Sequence, residues 1–455
     1  MRSATIRADG ADPDPRADAP GVPRRHRSGL LRRVLHHQQC HRPADASRGH
    51  GAECRLRRRP RANARCDLGR VAFPRVTVGR ARAADRLPGH RHAVAEIPNG
   101  LTSFPSRTEI MDALVIHAPG DLRVEDIPTP AVGAGELRVR VRTGGICGSD
   151  LHYYQHGGVG TIRIQQPMVL GHEVAGVIEA LGAGVTGWSI GERVAVNPSR
   201  PCGVCRFCQR GLQNHCLDMR YYGSAMRMPH VQGTFRQEMV IQAGQAHRLA
   251  DGVSDAEGAM AEPLAVALHA VNRAGALLGR KVLVTGCGPI GAMVVIAARR
   301  VGATRIVATD VMAQPLRKVA TLGADETIDV AGQPNALARY SAEKGQFDVL
   351  FECSGNQHAL RAAFDVVRPR GVLVQVGLSG SEFTLPFNTV VAKEFDLRGA
   401  FRFHEEFGVA VTLINQALVN LKPLVSATLP FRDAGRAFAL AADRSQSMKV
   451  LLSFD

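Results

Sequence analysis

The sequence predicts an α/β protein with two folded parts, a β-rich domain and a doubly wound parallel-sheet domain, after an unpatterned first quarter. Three observations predict it. From residue 111 to about 262, short β-rich runs alternate with glycines. From about 263 to 400, apolar strands alternate with helical stretches, the pattern of a parallel sheet with crossover helices. Residues 1–110 show no sustained helix or strand period and hold most of the charge.

The 455-residue chain has a formal charge of +16, but this is unevenly spread. Residues 1–110 contain 23 Arg and no Lys against 10 Asp and Glu, while 111–455 contain 34 Lys and Arg against 31 Asp and Glu. An Arg-rich segment of low apolar content is expected to be disordered. Arginine without lysine, in near-random order, is also what translated upstream GC-rich DNA would give, which would make Met111 the start. The competing functional readings of 1–110 are a transit peptide or a basic nucleic-acid-binding arm. Cys40, Cys54 and Cys66 in this segment have no metal spacing. With no apolar run of ~18–20 residues and no signal-peptide pattern, the expectation is a soluble, cytoplasmic protein.

The β-rich part, 111–262, contains ELRVRVRT, EVAGVIEALG, GERVAV and FRQEMVI, which read as strands of a small antiparallel barrel or sandwich. Residues 263–400 supply the strands KVLVTG, RIVATD, FDVLFECSG and GVLVQVG, with helices at GAMVVIAARRVGA and PLRKVATLGAD between the first of them. Residues 401–455 add a helix, EEFGVAVTLINQALV, and a strand-like tail, KVLLSF.

In the second part, Gly286, Gly288 and Gly291 form G-x-G-x-x-G between an apolar strand and an apolar helix, and Asp310 ends the next strand. In this setting the motif is a dinucleotide fingerprint. Gly286 permits a tight turn, Gly288 lets backbone approach a pyrophosphate, and Gly291 lets helix and strand pack closely. The helix N-terminus attracts the phosphates. Asp310 can accept from both ribose hydroxyls and would repel a 2′-phosphate, so NAD is favoured. Arg317, seven residues on, leaves NADP open.

Two sets of metal-ligating residues lie in the first part. Cys202, Cys205, Cys208 and Cys216 have the spacing C-x2-C-x2-C-x7-C. Four close thiolates suit a closed tetrahedral zinc with no open position, hence a structural one. A redox C-x-x-C would leave two cysteines unexplained, and a nucleic-acid finger would need a helix between ligand pairs. The second set is dispersed: Cys147, Ser149, Asp150, His152 and Tyr153 in CGSDLHYY, His172 and Glu173 in GHE, and Glu262 in MAEPLAVALHA. One thiolate, one imidazole and one carboxylate leave zinc an open position, as catalysis requires.

GHExxG at Gly171–Gly176, the four-cysteine lobe and the later G-x-G-x-x-G resemble the zinc-dependent medium-chain dehydrogenases, over nearly all of 111–455 and none of 1–110. CGSDLHYY and AEPLAVALHA look like the polyol, sorbitol dehydrogenase-like branch; Glu262 stands where alcohol dehydrogenases have a cysteine near the junction. NPSRPCGVCRFC, YYGSAMRMPHVQGTF and GAFRFHEEF look like the L-idonate 5-dehydrogenase family, which interconverts L-idonate and 5-ketogluconate. The resemblance implies a GroES-like catalytic domain at 111–262, a Rossmann cofactor domain at 263–400 and a return to the catalytic domain at 401–455. It implies catalytic zinc on Cys147 and His172, with Glu173 and Glu262 as the two carboxylates, one direct and one through water. It also implies a proton relay of Ser149 and His152 and a substrate contact at Tyr153. Nicotinamide-side contacts are implied at Ile290, Val376, Gly377, Leu378, Phe401 and Arg402. Arg402 is equally a candidate for the substrate carboxylate. Where the branch often has an arginine five residues past the ribose acid, this chain has Pro315, which loses an adenosine contact.

The expected reaction is therefore zinc-dependent oxidation of a sugar acid or polyol, with hydride passing to NAD or NADP. L-Idonate is the expected substrate, and sorbitol or xylitol (an L-iditol 2-dehydrogenase activity) the alternative. A homodimer or homotetramer is expected, with no membrane or nucleic-acid partner. The contrasting class is nucleic-acid binding through residues 1–110.

Overall fold

The computed structural model describes residues 109–379 and 382–455; the expectations for the arginine-rich segment fall on 1–108, outside the described residues, apart from its last two positions. The chain enters through two strands, β1 (Ile110–Ala118) and β2 (Asp121–Pro128), paired antiparallel. Ala113, Leu114, Val115 and Ile116 of β1 are all buried, so both faces of the strand are covered there. Then come β3 (Glu136–Gly145) and the short helix α1 (Gly148–His156). Cys147 is the N-cap of α1, so the thiol stands where strand gives way to helix, and Gly157 closes the helix at φ 67°. Strands β4 (Glu173–Leu181), β5 (Arg193–Val196) and β6 (Glu238–Gln242) follow, with the cysteine lobe looped out between the last two.

Helix α2 (Ala261–Ala274) carries the chain into the second sheet. Five of its fourteen residues are alanine, and Ala261, Ala265, Ala267 and Ala270 are all fully buried. Small side chains let it pack closely on α3 (Pro289–Arg300), which follows strand β7 (Lys281–Thr285). Beyond these lie β8 (Arg305–Asp310), α4 (Ala313–Thr321), β9 (Glu326–Asp329), β10 (Phe347–Glu352), β11 (Val367–Gln375) and β12 (Asp396–Gly399). The six strands form one sheet in the order β9-β8-β7-β10-β11-β12, every pair parallel. The order reverses between β7 and β10, and ligands of such sheets bind at that switch point, outside the carboxyl ends of the strands.

Helix α5 (Glu406–Asn415) packs on α2. The last elements are β13 (Val425–Pro430), α6 (Ala434–Ala442) and β14 (Lys449–Ser453). β14 lies antiparallel to β3 and parallel to β13, so the chain's end completes the sheet its beginning started. That sheet runs Ala246–Arg248, β5, β4, β3, β14, β13, with β6 also paired to β3. The β-rich part is thus built on two larger sheets, a three-stranded and a seven-stranded one, with two short two-stranded pairs beside them, and its core includes Leu137, Val139, Ile178, Phe235 and Phe438. Among the described residues, no helix is long and apolar enough to cross a membrane.

Candidate metal and dinucleotide site

Cys147, His172 and Glu173 come from three places: the cap of α1, the loop before β4, and the first residue of β4. Gly171 makes the approach possible. It sits at φ 91°, and a Cβ there would lie 2.3 Å from the Phe235 ring. Ligand atoms of the three residues all lie within 4.8 Å of one another. His172 is 5% exposed and Glu173 1%. Asp150 braces the group: its carboxylate accepts from the Cys147 N–H at 2.9 Å and the Gly171 N–H at 3.2 Å, and lies 3.8 Å from His172 Nδ1. A carboxylate behind a ligating imidazole fixes its tautomer and orientation.

Glu262, in the first turn of α2, is buried beside this group. Its Oε1 accepts a hydrogen bond from the Tyr221 hydroxyl. Lys449, the first residue of β14, is 3% exposed; its ammonium pairs with Glu173 Oε2 and donates to the Ile146 carbonyl at 3.0 Å. Glu173 Oε1 is buried without a hydrogen-bond partner. Burial pushes the Glu262 carboxyl up, and burial also works to lower His172. Cys147, Asp150 and Glu262 nevertheless raise the His172 imidazole to about 10. A buried thiol, imidazole and carboxylates that draw a proton this strongly onto a histidine are a donor set short of positive charge. They fit zinc.

The lobe fits a second zinc. Cys205 Sγ lies 3.5 Å from Cys208 Sγ and 4.0 Å from Cys216 Sγ. Four sulfurs at ~2.3 Å from a tetrahedral zinc are separated by about 3.8 Å. Backbone N–H groups of Cys202 and Asp218 point at Cys216 Sγ, at 3.2 and 3.3 Å, and that of Cys205 at Cys202 Sγ, at 3.4 Å, as suits thiolates. Backbone N–H groups of Cys208 and Leu217 draw the Cys205 thiol down, while burial and neighbouring sulfurs push Cys208 up. The lobe also touches the segment that follows the parallel sheet: Asn214 Nδ2 donates to the Phe401 carbonyl at 3.0 Å, and His215 stacks on the Phe401 ring, centroids 6.1 Å apart.

At the switch point, Gly286 has φ 84°, and a Cβ on it would meet Ser354 N at 2.6 Å. A Cβ on Gly288 would meet nothing within 4 Å, so the turn is open there. Gly291 faces the Gly286 carbonyl, 1.9 Å from where its Cβ would stand. Gly288 caps α3 and Pro289 opens it, leaving the first-turn N–H groups facing outward. Ile290 is half-buried in α3. Val376 and Gly377 donate to the Glu352 carbonyl, each at 2.9 Å, while Leu378 is 74% exposed. These features fit a dinucleotide. Asp310 Oδ2 accepts from the Cys287 N–H of the glycine turn at 2.7 Å.

Ser149 and His152 lie on α1, with His152 exposed and its imidazole held down by desolvation first and His156 second. Tyr153 is 4% exposed, and its hydroxyl accepts from the Ala225 N–H at 3.1 Å. Arg402 has φ 54°, a conformation uncommon outside glycine. Its guanidinium lies 4.1 Å above the Tyr221 ring and 5.0 Å above Phe401. Among the described residues no carboxylate pairs with it. Tyr221, Lys449 and Arg444 were not expected from sequence. Tyr221 opens the YYGS run, and Lys449 is a lone charge at the head of an apolar strand, the one local signal that marked it. Arg444, 2.7 Å from Asp310 Oδ2, carries no such mark.

The alcohol dehydrogenase GroES-like domain matches residues 133–251, and the zinc-binding dehydrogenase domain matches 289–416. L-Idonate 5-dehydrogenase (NAD(P)(+)) of Escherichia coli is 43% identical over 316 residues, 70% of this chain and 91% of that protein. The chain belongs to the zinc-binding dehydrogenase family. Sorbitol dehydrogenase of Gallus gallus is 37% identical over 346 residues, 75% of this chain and 96% of that protein. A crystal structure of the E. coli L-idonate 5-dehydrogenase superposes with TM-score 0.72 at 40% identity, covering 76% of this chain and 98% of that one. The protein is accordingly a zinc-dependent NAD(P) alcohol dehydrogenase with a GroES-like part and a Rossmann part.

Proposed function

We propose that this dehydrogenase oxidises L-idonate at C5 to 5-ketogluconate, reversibly, in the cytoplasm. The observation that carries the substrate is Arg402, a half-buried guanidinium with no carboxylate partner among the described residues, beside Tyr153, Tyr221 and Glu262. Such a group binds a substrate carboxylate bidentately. Similarity to the E. coli L-idonate enzyme supports the same reading.

In this reading Cys147, His172 and Glu173 would hold a zinc that would supply Lewis-acid activation of the reacting hydroxyl, and a nicotinamide bound at the switch point would supply the hydride acceptor. Glu262, held by Tyr221, is the second buried carboxylate of the set. Ser149 would accept the hydroxyl proton while passing on its own, through the cofactor ribose, toward His152, which is exposed to solvent. Cys202, Cys205, Cys208 and Cys216 hold a structural zinc. Gly286, Gly288 and Gly291 cradle the pyrophosphate, and Ile290 of the same turn lies on the nicotinamide side. Val376, Gly377, Leu378 and Phe401 border the nicotinamide. The catalytic domain comprises 111–262 and 401–455, the cofactor domain 263–400. Exposed Leu397 on the edge strand β12, with exposed Phe387 and Val391 on the helix preceding it, supports a homodimer or homotetramer.

The test is a substrate panel on purified, zinc-loaded protein: L-idonate, sorbitol and xylitol, each with NAD and NADP. L-Idonate is expected to give kcat/KM at least about tenfold above sorbitol, and Arg402→Ala to abolish that margin. A sorbitol rate well above that of L-idonate would overturn the reading in favour of a polyol enzyme.

A further inference from the structure

Asp310 ends β8 buried, 5% exposed, where the ribose of the adenosine half is expected. It is not a free acid. Oδ2 accepts from the Cys287 N–H at 2.7 Å and from Arg444 Nη2 at 2.7 Å, and Oδ1 accepts from the Met312 N–H at 3.0 Å. A carboxylate has about four lone-pair sites. Three are taken, so one remains for two ribose hydroxyls.

Arg444 comes from the turn after α6, more than a hundred residues from Asp310 in sequence. Its side chain is 45% exposed. One of its nitrogens is spent on Asp310, and its other N–H donors have no partner among the described residues. Arg317, the arginine expected to bear on the 2′ position, has no contact with Asp310. It is exposed on α4 and shares a shallow cavity with Gln314, Lys318 and Thr321. Position 315, where the branch often carries its arginine, is a buried proline.

We propose that Arg444 sets cofactor preference: paired with Asp310, it offers its free N–H groups to a 2′-phosphate, so the adenosine site takes NADP as well as NAD. The guanidinium cancels the charge by which Asp310 alone would repel a phosphate. A planar guanidinium with several free donors matches phosphate oxygens. With NAD those free N–H groups meet no phosphate, while the nitrogen paired with Asp310 competes with the ribose hydroxyls for Oδ2.

The inference rests on the dinucleotide site and not on the identity of the substrate, so the test omits substrate. NADH and NADPH are titrated calorimetrically onto full-length wild type, Arg444→Ala and Arg444→Lys, with adenosine 2′,5′-bisphosphate and AMP as probes lacking nicotinamide. Wild type is expected to bind both cofactors. Arg444→Ala should weaken NADPH and the bisphosphate by about tenfold or more, leaving NADH and AMP unchanged or tighter. Arg444→Lys, which keeps the charge, should restore part of the NADPH affinity. Wild type that binds NADH but not NADPH overturns the proposal. So does an Arg444→Ala protein with unaltered NADPH affinity, or one that loses both cofactors equally, which would make Arg444 only a clasp between the two parts.

Discussion

Gly291→Ala isolates the dinucleotide turn from both metal groups. The added Cβ would stand 1.9 Å from the Gly286 carbonyl oxygen. Carbon and oxygen approach to roughly 3.3 Å, so helix and turn must separate by more than about 1 Å. Alanine is intrinsically better in a helix by roughly 0.5–1 kcal/mol. Forced overpacking costs about 1–3 kcal/mol, so the clash outweighs the gain. The part that moves is the turn holding Gly286 and Gly288, and with it the N–H of Cys287 that holds Asp310. A shift of about 1 Å in a positioning element can cost ~100-fold, so NADH affinity should fall between about tenfold and a hundredfold. NADH fluorescence titration measures this, with zinc content as the control that the metal sites are untouched. An NADH Kd within about twofold of wild type would refute the close-packing role given to Gly291.

Two further outcomes follow from the same geometry. Cys205→Ser should lower zinc content by about one ion per chain and lower the thermal midpoint. Because Asn214 and His215 of the lobe hold Phe401, KM for L-idonate should rise before kcat falls; activity lost with zinc and stability intact would contradict a purely bracing lobe. Glu406 opposes burial through hydrogen bonds from His269, the His404 N–H and Asn272, which bring its carboxyl to about 2 from an ordinary 4.5. A depressed carboxyl stabilises the fold fully above about 4.5 and loses that contribution as pH falls towards 2. Glu406→Gln should therefore be less stable than wild type by about 1–2 kcal/mol at pH 7, allowing for screening. The gap should close on acidification, as chemical denaturation at several pH values would show; a gap independent of pH would refute it.

What the sequence made legible was chemistry carried by local spacing. The glycine fingerprint, the cysteine lobe and GHE each sit in one short run, and each lies where its element makes it useful. Cys147 and His172 were grouped from residue type alone and given ligand roles by the resemblance, since no local spacing joins them and strand, cap and loop must fold to bring them within reach. Tyr221, Lys449 and Arg444 were illegible for a common reason: each acts on a residue tens to hundreds of positions away. Lys449 reaches Glu173 because β14 returns to lie beside β3, a pairing no local period announces. Arg444 reaches Asp310 through the same return, from the turn between α6 and β14. A ribose acid read alone favours NAD; read with its partner it does not exclude NADP.

Zinc content measured together with turnover in Cys147→Ala tests the central claim most directly. The account predicts about two zinc ions per chain in wild type and about one, held by the lobe, in the variant. The variant should retain the wild-type circular dichroism spectrum and bind NADH, yet form no NADH from L-idonate. Two zinc ions retained, or NADH still produced, would contradict a catalytic metal held by Cys147, His172 and Glu173.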